Sequence, residues 1–205
     1  ELHNLIAQAQ KLGNGKAVVL AAYIDPQLKD NARLMDAIIF ASGGGHIELG
    51  ERQGMLADAY FPRYGQMPED LQEVMRRYYD FAIRYENVIG PTAMDVTRDF
   101  SSKIKIEGYS TNPNVGKDFI FPITRETSGL TAINLVNLVG VPDPEWKSPA
   151  TPSPTSLNNL AMHISLAETR VAHVWLASPD GGSTALQELP FKIEGNEVTF
   201  ELPSL

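Results

Sequence analysis

The chain lacks cysteine, which excludes disulfide bonds and thiolate metal sites. It also lacks an excess of basic residues, because its 205 residues carry a formal net charge of -8 at pH 7. Nucleic acids and anionic membrane surfaces bind proteins through basic patches, so neither is an expected partner. No apolar run reaches the roughly 20 residues that a membrane-spanning helix needs, so no membrane insertion is expected. Hydrophobic residues make up 43% and charged residues 20%, which is typical of a folded protein.

The first ten residues, ELHNLIAQAQ, show neither an initiator Met nor the charged-then-apolar pattern of a signal peptide. Their apolar residues follow helical spacing, which predicts a helix over residues 2–12 that ends at Gly13. A chain that opens inside a helix is expected to be part of a larger protein or the product of processing.

The most informative stretch reads AIIFASGGGHIELGE and covers residues 37–51. Its continuous apolar run over residues 37–41 predicts a buried parallel strand. The glycines at 43–45 allow a sharp bend, and His46 and Glu48 share one face if the chain is extended after it. An imidazole and a carboxylate at the carboxyl end of a strand are typical of an active site in an α/β protein. The alternative is a glycine-rich turn whose polar side chains only hydrogen-bond the backbone.

Three motifs of nucleotide or metal chemistry fail on this stretch. The dinucleotide fingerprint needs a third glycine where Glu48 stands, and a phosphate-binding loop needs a Gly-Lys-Ser/Thr ending that is absent. The zinc deaminase pattern needs paired cysteines after H-x-E. No cluster of metal ligands is visible in the sequence either, and no metal or organic cofactor is expected.

The first half of the chain reads as alternating helices and strands. A second apolar strand is predicted over residues 16–24, and a short amphipathic turn over 31–37 leads into the strand at 37–41. An irregular loop over 52–66 and a strong helix over 68–87 follow. Two buried parallel strands with helices between them indicate part of an α/β barrel or of a doubly wound sheet.

The loop after the His/Glu segment is rich in aromatic residues. It contains Tyr60, Phe61, Pro62 and Tyr64. Aromatic faces stack on pyranose rings, so this loop could line a sugar-binding cleft. The alternative is that these side chains anchor a long loop onto the domain.

Beyond Pro91 the pattern changes to short β-branched and aromatic runs separated by turns. Six strands are predicted, over residues 103–107, 119–124, 131–139, 161–166, 171–177 and 198–202. Short strands at this density indicate an antiparallel sandwich. The proline-rich stretch at 141–156 predicts a stiff loop from which Trp146 could pack into the domain interface. His163 and His173 are predicted to be ordinary core or surface histidines.

Several segments together resemble glycoside hydrolase family 66, which contains dextranases and cycloisomaltooligosaccharide glucanotransferases. They occur in order along nearly the whole chain: VVLAAYI, AIIFASGGGHIELGE, YFP, RRYYDFAIRYENVI, NLVNLVGV with DPEW, and VWLASPDG. The resemblance implies a (β/α)8 barrel followed by a C-terminal β-sandwich. Residues 16–24 would be barrel strand seven, residues 37–42 strand eight, and residues 68–87 the last barrel helix. The expected domains are 1–91, the C-terminal part of the barrel, and 92–205, the sandwich.

The resemblance also implies a retaining mechanism on α-1,6-glucans such as dextran and isomaltooligosaccharides, with two carboxylates about 5 Å apart. Those carboxylates are expected on barrel strands four and six, before Glu1, so no catalytic residue is assigned within this chain. His46 and Glu48 match the strand-eight motif and are expected to bind substrate, by touching the sugar or by holding neighbouring residues in place. Glu48 as the nucleophile is an alternative. Glu86 and Asn87 match the family's YEN and are expected to be structural.

The resemblance further implies a bacterial protein that acts outside the cell or at its surface. Two strands of eight cannot close a barrel, so the rest of the barrel is needed to cover their edges and apolar faces. Two other functions stay open at this point: a non-catalytic carbohydrate-binding or interaction module, and another barrel α-glucosidase that acts on starch or maltose. These residues do not distinguish hydrolysis from cyclisation.

Overall fold

A computed structural model of the chain describes residues 1–59, 63–114, 117–145, 152–167, 170–181 and 183–205. The aromatic residues Tyr60 and Phe61, with Pro62, lie outside the described residues, and so does Trp146. Within the described ranges, no helix is both long enough and apolar enough to cross a membrane.

Helices cover one face of a pair of short parallel strands in the first 90 residues. β1 pairs with β2 in parallel, with Leu20 opposite His46, and helix α2 connects the two strands. The elements of this part are α1 (Leu2–Leu12), β1 (Val18–Leu20), α2 (Lys29–Ala41), β2 (Gly44–His46), a 3-10 turn (Glu51–Gln53), β3 (Gly54–Leu56), β4 (Tyr64–Gln66), α3 (Glu69–Arg84) and α4 (Glu86–Ile89).

The strand predicted over residues 37–41 is wrong, because these residues form the last turns of helix α2. Ile38, Ile39 and Phe40 are all buried, and a helix covered on every side carries the same continuous apolar run as a buried strand. The short turn predicted over residues 31–37 belongs to the same helix. The parallel strand begins only after the bend, at Gly44, so the position expected for barrel strand eight moves from 37–42 to β2.

Two other predictions differ in extent. The strand predicted over residues 16–24 is limited to β1, and the irregular loop predicted over 52–66 contains the antiparallel hairpin of β3 and β4. Each hairpin strand contains a glycine, Gly54 in β3 and Gly65 in β4. Glycine has low strand propensity, which conceals such a hairpin in the sequence.

Antiparallel strands dominate the chain from Met94 onward. All six predicted strands are present, and three shorter strands, β5, β11 and β12, were not predicted. The elements are β5 (Met94–Asp95), α5 (Thr97–Phe100), a 3-10 turn (Ser101–Lys103), β6 (Ile104–Ile106), β7 (Ile120–Thr127), β8 (Leu130–Asn137), β9 (Asn158–Ser165), β10 (Val174–Leu176), β11 (Gln187–Leu189), β12 (Phe191–Glu194) and β13 (Glu197–Ser204). The strands form a three-stranded sheet, β5-β7-β8, a four-stranded sheet, β12-β13-β9-β6, and a β10-β11 ribbon.

The three-stranded sheet lies between two apolar cores. Successive side chains of a strand point to opposite faces, so Phe121 and Ile123 pack into the core of the helices. Ile120 packs instead into the core formed with the four-stranded sheet, where it joins Met162 and Ile164. The helical part and the antiparallel part are therefore joined by buried apolar contacts as well as by the chain.

A fully buried arginine joins the two parts at the bend before β2. Arg125 of β7 donates from Nη2 to the carbonyl oxygens of Gly90 at 2.9 Å and Ala93 at 2.6 Å. Gly43, at the bend, has φ of +76°, and a Cβ placed there would lie 2.4 Å from Arg125 Nη2. Gln10 of α1 donates to the Gly43 carbonyl at 3.0 Å. Only glycine fits this corner, and the corner sets the direction in which β2 leaves it.

Candidate functional site

His46 and Glu48 point to the same side of the extended segment that follows β2, as their spacing predicts. Their side chains are completely buried. The intervening Ile47 and the next residue, Leu49, are exposed on the opposite side. The extended backbone therefore separates a polar face, which is covered by the chain's own helices, from an apolar face that is open.

Asp36 of α2 and Tyr79 of α3 complete a buried cluster around His46 and Glu48. His46 Nδ1 lies 2.7 Å from Asp36 Oδ1 and 3.2 Å from Glu48 Oε2. His46 Nε2 lies 3.1 Å from the carbonyl oxygen of Ala22. The Tyr79 hydroxyl lies 3.0 Å from Glu48 Oε1 and 3.1 Å from the backbone carbonyl oxygen of His46. Two helices thus contact both the side chain and the backbone at the end of β2.

Both ring nitrogens of His46 face oxygen atoms. Nε2 faces a carbonyl oxygen, which can only accept a hydrogen bond, and Nδ1 faces two carboxyl groups. Burial lowers the pKa of His46, but hydrogen bonds to Asp36 and Glu48 and the charges of both outweigh burial and raise the pKa to about 10. His46 is therefore an imidazolium at neutral pH, held in one orientation.

The two carboxyl groups of the cluster have opposite pKa shifts. Burial raises the pKa of Asp36 well above its usual range, and the charge of Glu48 adds to this against the hydrogen bond with His46. Burial also acts to raise the pKa of Glu48, but hydrogen bonds with His46 and Asp36 outweigh it and lower that pKa. Of the two carboxyl groups, that of Asp36 therefore binds a proton more readily than that of Glu48.

Asp36, His46 and Glu48 are close enough together to hold a metal ion, since one ligand atom from each lies within 4.8 Å of the others. Two ligands of a tetrahedral Zn²⁺ with bonds of about 2.0 Å lie roughly 3.3 Å apart. The 2.7 Å between His46 Nδ1 and Asp36 Oδ1 is instead the length of a charge-assisted hydrogen bond. Asp36 Oδ2 makes no hydrogen bond among the described residues, and Glu48 Oε2 has only the ion pair with His46 Nδ1 at 3.2 Å.

The chemistry of this cluster is to fix a backbone segment. Its groups are enclosed by α2, α3 and β1, so none of them offers a free proton donor or acceptor to solvent. The sequence analysis did not identify Asp36 and Tyr79 as partners, because they belong to the two helices that flank β2 in the chain. One signal was present: Asp36 is a lone charge in the apolar run LMDAIIF, and a charge there is buried and paired.

A second buried cluster lies on the other side of the bend. His3 Nδ1 is 3.0 Å from the hydroxyl of Ser42, and His3 Nε2 is 3.5 Å from Asp95 Oδ2. This order of groups resembles a hydrolase triad, but the Ser42 hydroxyl is buried and donates to the carbonyl oxygen of Ile38 at 2.6 Å. A nucleophile needs access to substrate, so the cluster is structural and joins α1, α2 and β5.

The remaining sequence candidates lie away from the buried cluster. Glu86 and Asn87 form the start of α4. His163 lies in β9 with carboxyl groups on both sides, 3.1 Å from Glu107 and 3.1 Å from Glu197. The prediction that His173 falls within a strand is wrong, because β10 begins at the next residue.

Comparison with known proteins identifies the fold family of this arrangement. The model of glycosyl hydrolase family 66 matches residues 1–205. The chain belongs to this family.

Two relatives within the family are cycloisomaltooligosaccharide glucanotransferases of Niallia circulans. One is 35% identical over 181 residues, which cover 84% of this chain, and the other is 32% identical over 85% of this chain. In both cases the match covers 18% of the relative, so the chain spans about a fifth of the length of these glucanotransferases.

A solved structure of the same family supports the relationship. It is a cycloisomaltooligosaccharide glucanotransferase of Paenibacillus sp. complexed with cycloisomaltoheptaose. The match has a TM-score of 0.78 and 29% sequence identity, and it covers 92% of this chain and 26% of that structure. The mixed α/β and β architecture described above is therefore that of a family 66 segment.

Proposed function

We propose that this chain is the C-terminal part of a family 66 enzyme that cleaves or transfers α-1,6-linked glucan, such as dextran or isomaltooligosaccharides. The observation that carries the proposal is the 35% identity to a glucanotransferase over 84% of the chain. The intact protein would use a retaining mechanism with two carboxylates about 5 Å apart, supplied by residues outside this chain. The chain alone would be inactive.

The parallel pair β1 and β2 supports placing residues 1–91 in the last part of a (β/α)8 barrel. One face of this pair is covered by helices, and the other carries Val19, Ile47 and Leu49, which are between 46% and 57% exposed. Apolar side chains on an open strand face are what remains when neighbouring strands of a closed barrel are missing. The open face would then be the interior of the barrel, completed by the rest of the protein.

Residues 92–205 would form the C-terminal β-sandwich. Two antiparallel sheets contribute to one core, with Ile120 from the three-stranded sheet and Met162 from the four-stranded sheet. This arrangement is that of sheets packed face to face. The shared first core, with Phe121 and Ile123, indicates that the two domains would behave as one rigid unit.

His46 and Glu48 would serve substrate binding by holding neighbouring residues in place. Their side chains face the helices, while the same backbone presents Ile47 and Leu49 to the open face at the carboxyl end of β2. Active sites of barrels lie at the carboxyl ends of the strands. A cluster that fixes the backbone there would hold the residues at the base of the substrate site in position without contacting the sugar. Glu48 as the nucleophile has no support in this enclosed position.

The role of Glu48 can be tested in the intact protein by Glu48→Gln. The change removes the negative charge that balances His46, so we expect turnover on dextran to fall at least tenfold while the circular dichroism spectrum stays unchanged. Glu86→Gln, on the exposed start of α4, is the matched control and should keep full turnover. Unchanged kinetics of the Glu48→Gln protein would contradict its assignment to the substrate site.

The substrate class can be tested separately by assaying the intact protein on dextran and on starch. We expect activity on dextran and none on starch. Activity on starch alone would favour another barrel α-glucosidase, and binding of dextran without turnover would favour a carbohydrate-binding module. The named relatives support a bacterial origin. The proposal includes a location outside the cell or at its surface, because polymeric glucans are extracellular substrates.

A further inference from the structure

The hairpin that follows β2 carries a half-exposed aromatic side chain, that of Tyr64. β3 and β4 pair with Leu56 opposite Tyr64 and Met55 opposite Gly65. Met55 is fully buried in the helical core, so the alternation of side chains places Tyr64 on the opposite face of the hairpin. Tyr64 is 51% exposed there.

The backbone beneath the Tyr64 ring carries glycine at two positions, Gly50 and Gly54. A Cβ on Gly50 would lie 1.9 Å from both Cδ1 and Cε1 of the Tyr64 ring, so this edge of the ring occupies the place of a side chain at position 50. A Cβ on Gly54 would lie 2.8 Å from the Cβ of Tyr64. Two glycines therefore allow the ring to lie directly on the segment that leaves β2, where packing limits its rotation.

The corner between β2 and the hairpin is also fixed. Arg52 and Gln53 both adopt positive φ, 52° and 60°, which is uncommon for residues other than glycine. The side-chain amide of Gln66 donates to the carbonyl oxygen of Arg52 at 3.1 Å and so braces this corner. Strained backbone that is held by a specific partner is frequent in binding sites. Glu51 and Arg52, which directly follow Gly50 in the chain, are exposed.

We propose that Tyr64, seated on Gly50 at the carboxyl end of β2, is a stacking platform for a glucose ring of the α-glucan chain at the mouth of the substrate site. The proposal rests on the proposed function and names one specificity-determining residue for it. A rigid aromatic side chain with half its surface free offers apolar area to the C–H face of a pyranose at little entropic cost. Exposed Glu51 and Arg52 supply an acceptor and donors for the sugar hydroxyls.

The test compares variants of the intact protein on isomaltooligosaccharides. We expect Tyr64→Ala to raise KM about tenfold while kcat changes less than twofold, because the platform binds a ring away from the bond that is cleaved. Tyr64→Phe keeps the ring and should stay within twofold of the parent protein. Gly50→Ala keeps the tyrosine but displaces its ring, and should reproduce the rise in KM. Tyr109→Ala, at an exposed tyrosine after β6, is the control and should have no effect.

Three results would overturn the proposal. If Tyr64→Ala leaves KM unchanged in an enzyme that is active on dextran, the stacking role fails and the proposed function stands. If Tyr64→Ala lowers the melting temperature with KM unchanged, the ring packs against another part of the protein and not against sugar. If the parent protein neither binds nor cleaves α-1,6-glucan, both the platform and the proposed function fail.

Discussion

Replacement of His46 by glutamine should destabilise the protein by an amount that depends on pH. The pKa of His46 rises from an ordinary 6.5 to about 10 in the folded chain. One pKa unit corresponds to about 1.4 kcal/mol, so the extra proton contributes at most roughly 5 kcal/mol to folding. The contribution is fully present below pH 6.5, where both states bind the proton. It falls as pH rises toward 10, because the folded state keeps a proton that the unfolded state has released.

Between pH 7 and pH 9 the parent protein should therefore lose up to about 1.4 kcal/mol per pH unit from this group. The His46→Gln protein lacks the group, so the difference in stability between the two proteins should shrink by about 2 to 3 kcal/mol over this range. In a unit of this size that is a difference of roughly 5 to 10 °C in melting temperature.

The assay is calorimetric unfolding of the intact parent protein and the intact His46→Gln protein at pH 7, 8 and 9. The melting temperature compared is that of the transition that the substitution shifts. His173→Gln is the control, because the His173 side chain is half exposed and contacts only Glu188 and the ring of Trp175 among the described residues. Its effect on the melting temperature should be small. A melting-temperature difference for His46→Gln that stays constant from pH 7 to pH 9 would refute the raised pKa of His46 and its charge in the buried cluster.

Two further changes test the bend and the cluster. Gly43→Ala should lower the free energy of unfolding by about 3 kcal/mol or more, because a side chain at this left-handed position also displaces the buried Arg125. Gly15→Ala is the control, because Gly15 has φ of +78° but open space around it. It should lower the free energy of unfolding by only about 1 to 2 kcal/mol, as measured by thermal unfolding. Tyr79→Phe removes the hydroxyl that contacts the cluster and should cost about 1 to 2 kcal/mol and also lower kcat/KM on dextran. The neighbouring Tyr78→Phe removes a hydroxyl that contacts the β10-β11 connection, and it should lower stability without a change in kcat/KM.

Long, periodic elements were predictable from the sequence because their signals are local. The helical stripe of α1 and the acidic first turn of α3 are visible in the sequence and appear in the fold. The long strands β7, β9 and β13 are likewise visible as apolar and β-branched runs.

The end of α2 was misassigned because apolar content alone does not distinguish a buried helix from a buried strand. Three-residue strands such as β1 and β11 are fixed by neighbours and not by their own composition.

The candidate site was predictable only in part. The two-residue period correctly placed His46 and Glu48 on one face, which is a property of the extended backbone. The same period does not say which face is covered, and the helices that cover it bring in Asp36 and Tyr79 from distant positions. The role of Gly50 depends on a contact with Tyr64 of β4, which the folding of the hairpin brings close to residue 50.

The central proposal is that the chain is part of a retaining enzyme of α-1,6-glucan. The most direct measurement is a proton NMR time course of the intact protein acting on isomaltooligosaccharides, read at the anomeric signals before mutarotation. The account predicts that the first products, linear or cyclic, carry the α configuration of the substrate. Products that first appear in the β configuration, or the absence of any product from α-1,6-linked substrates, would contradict it.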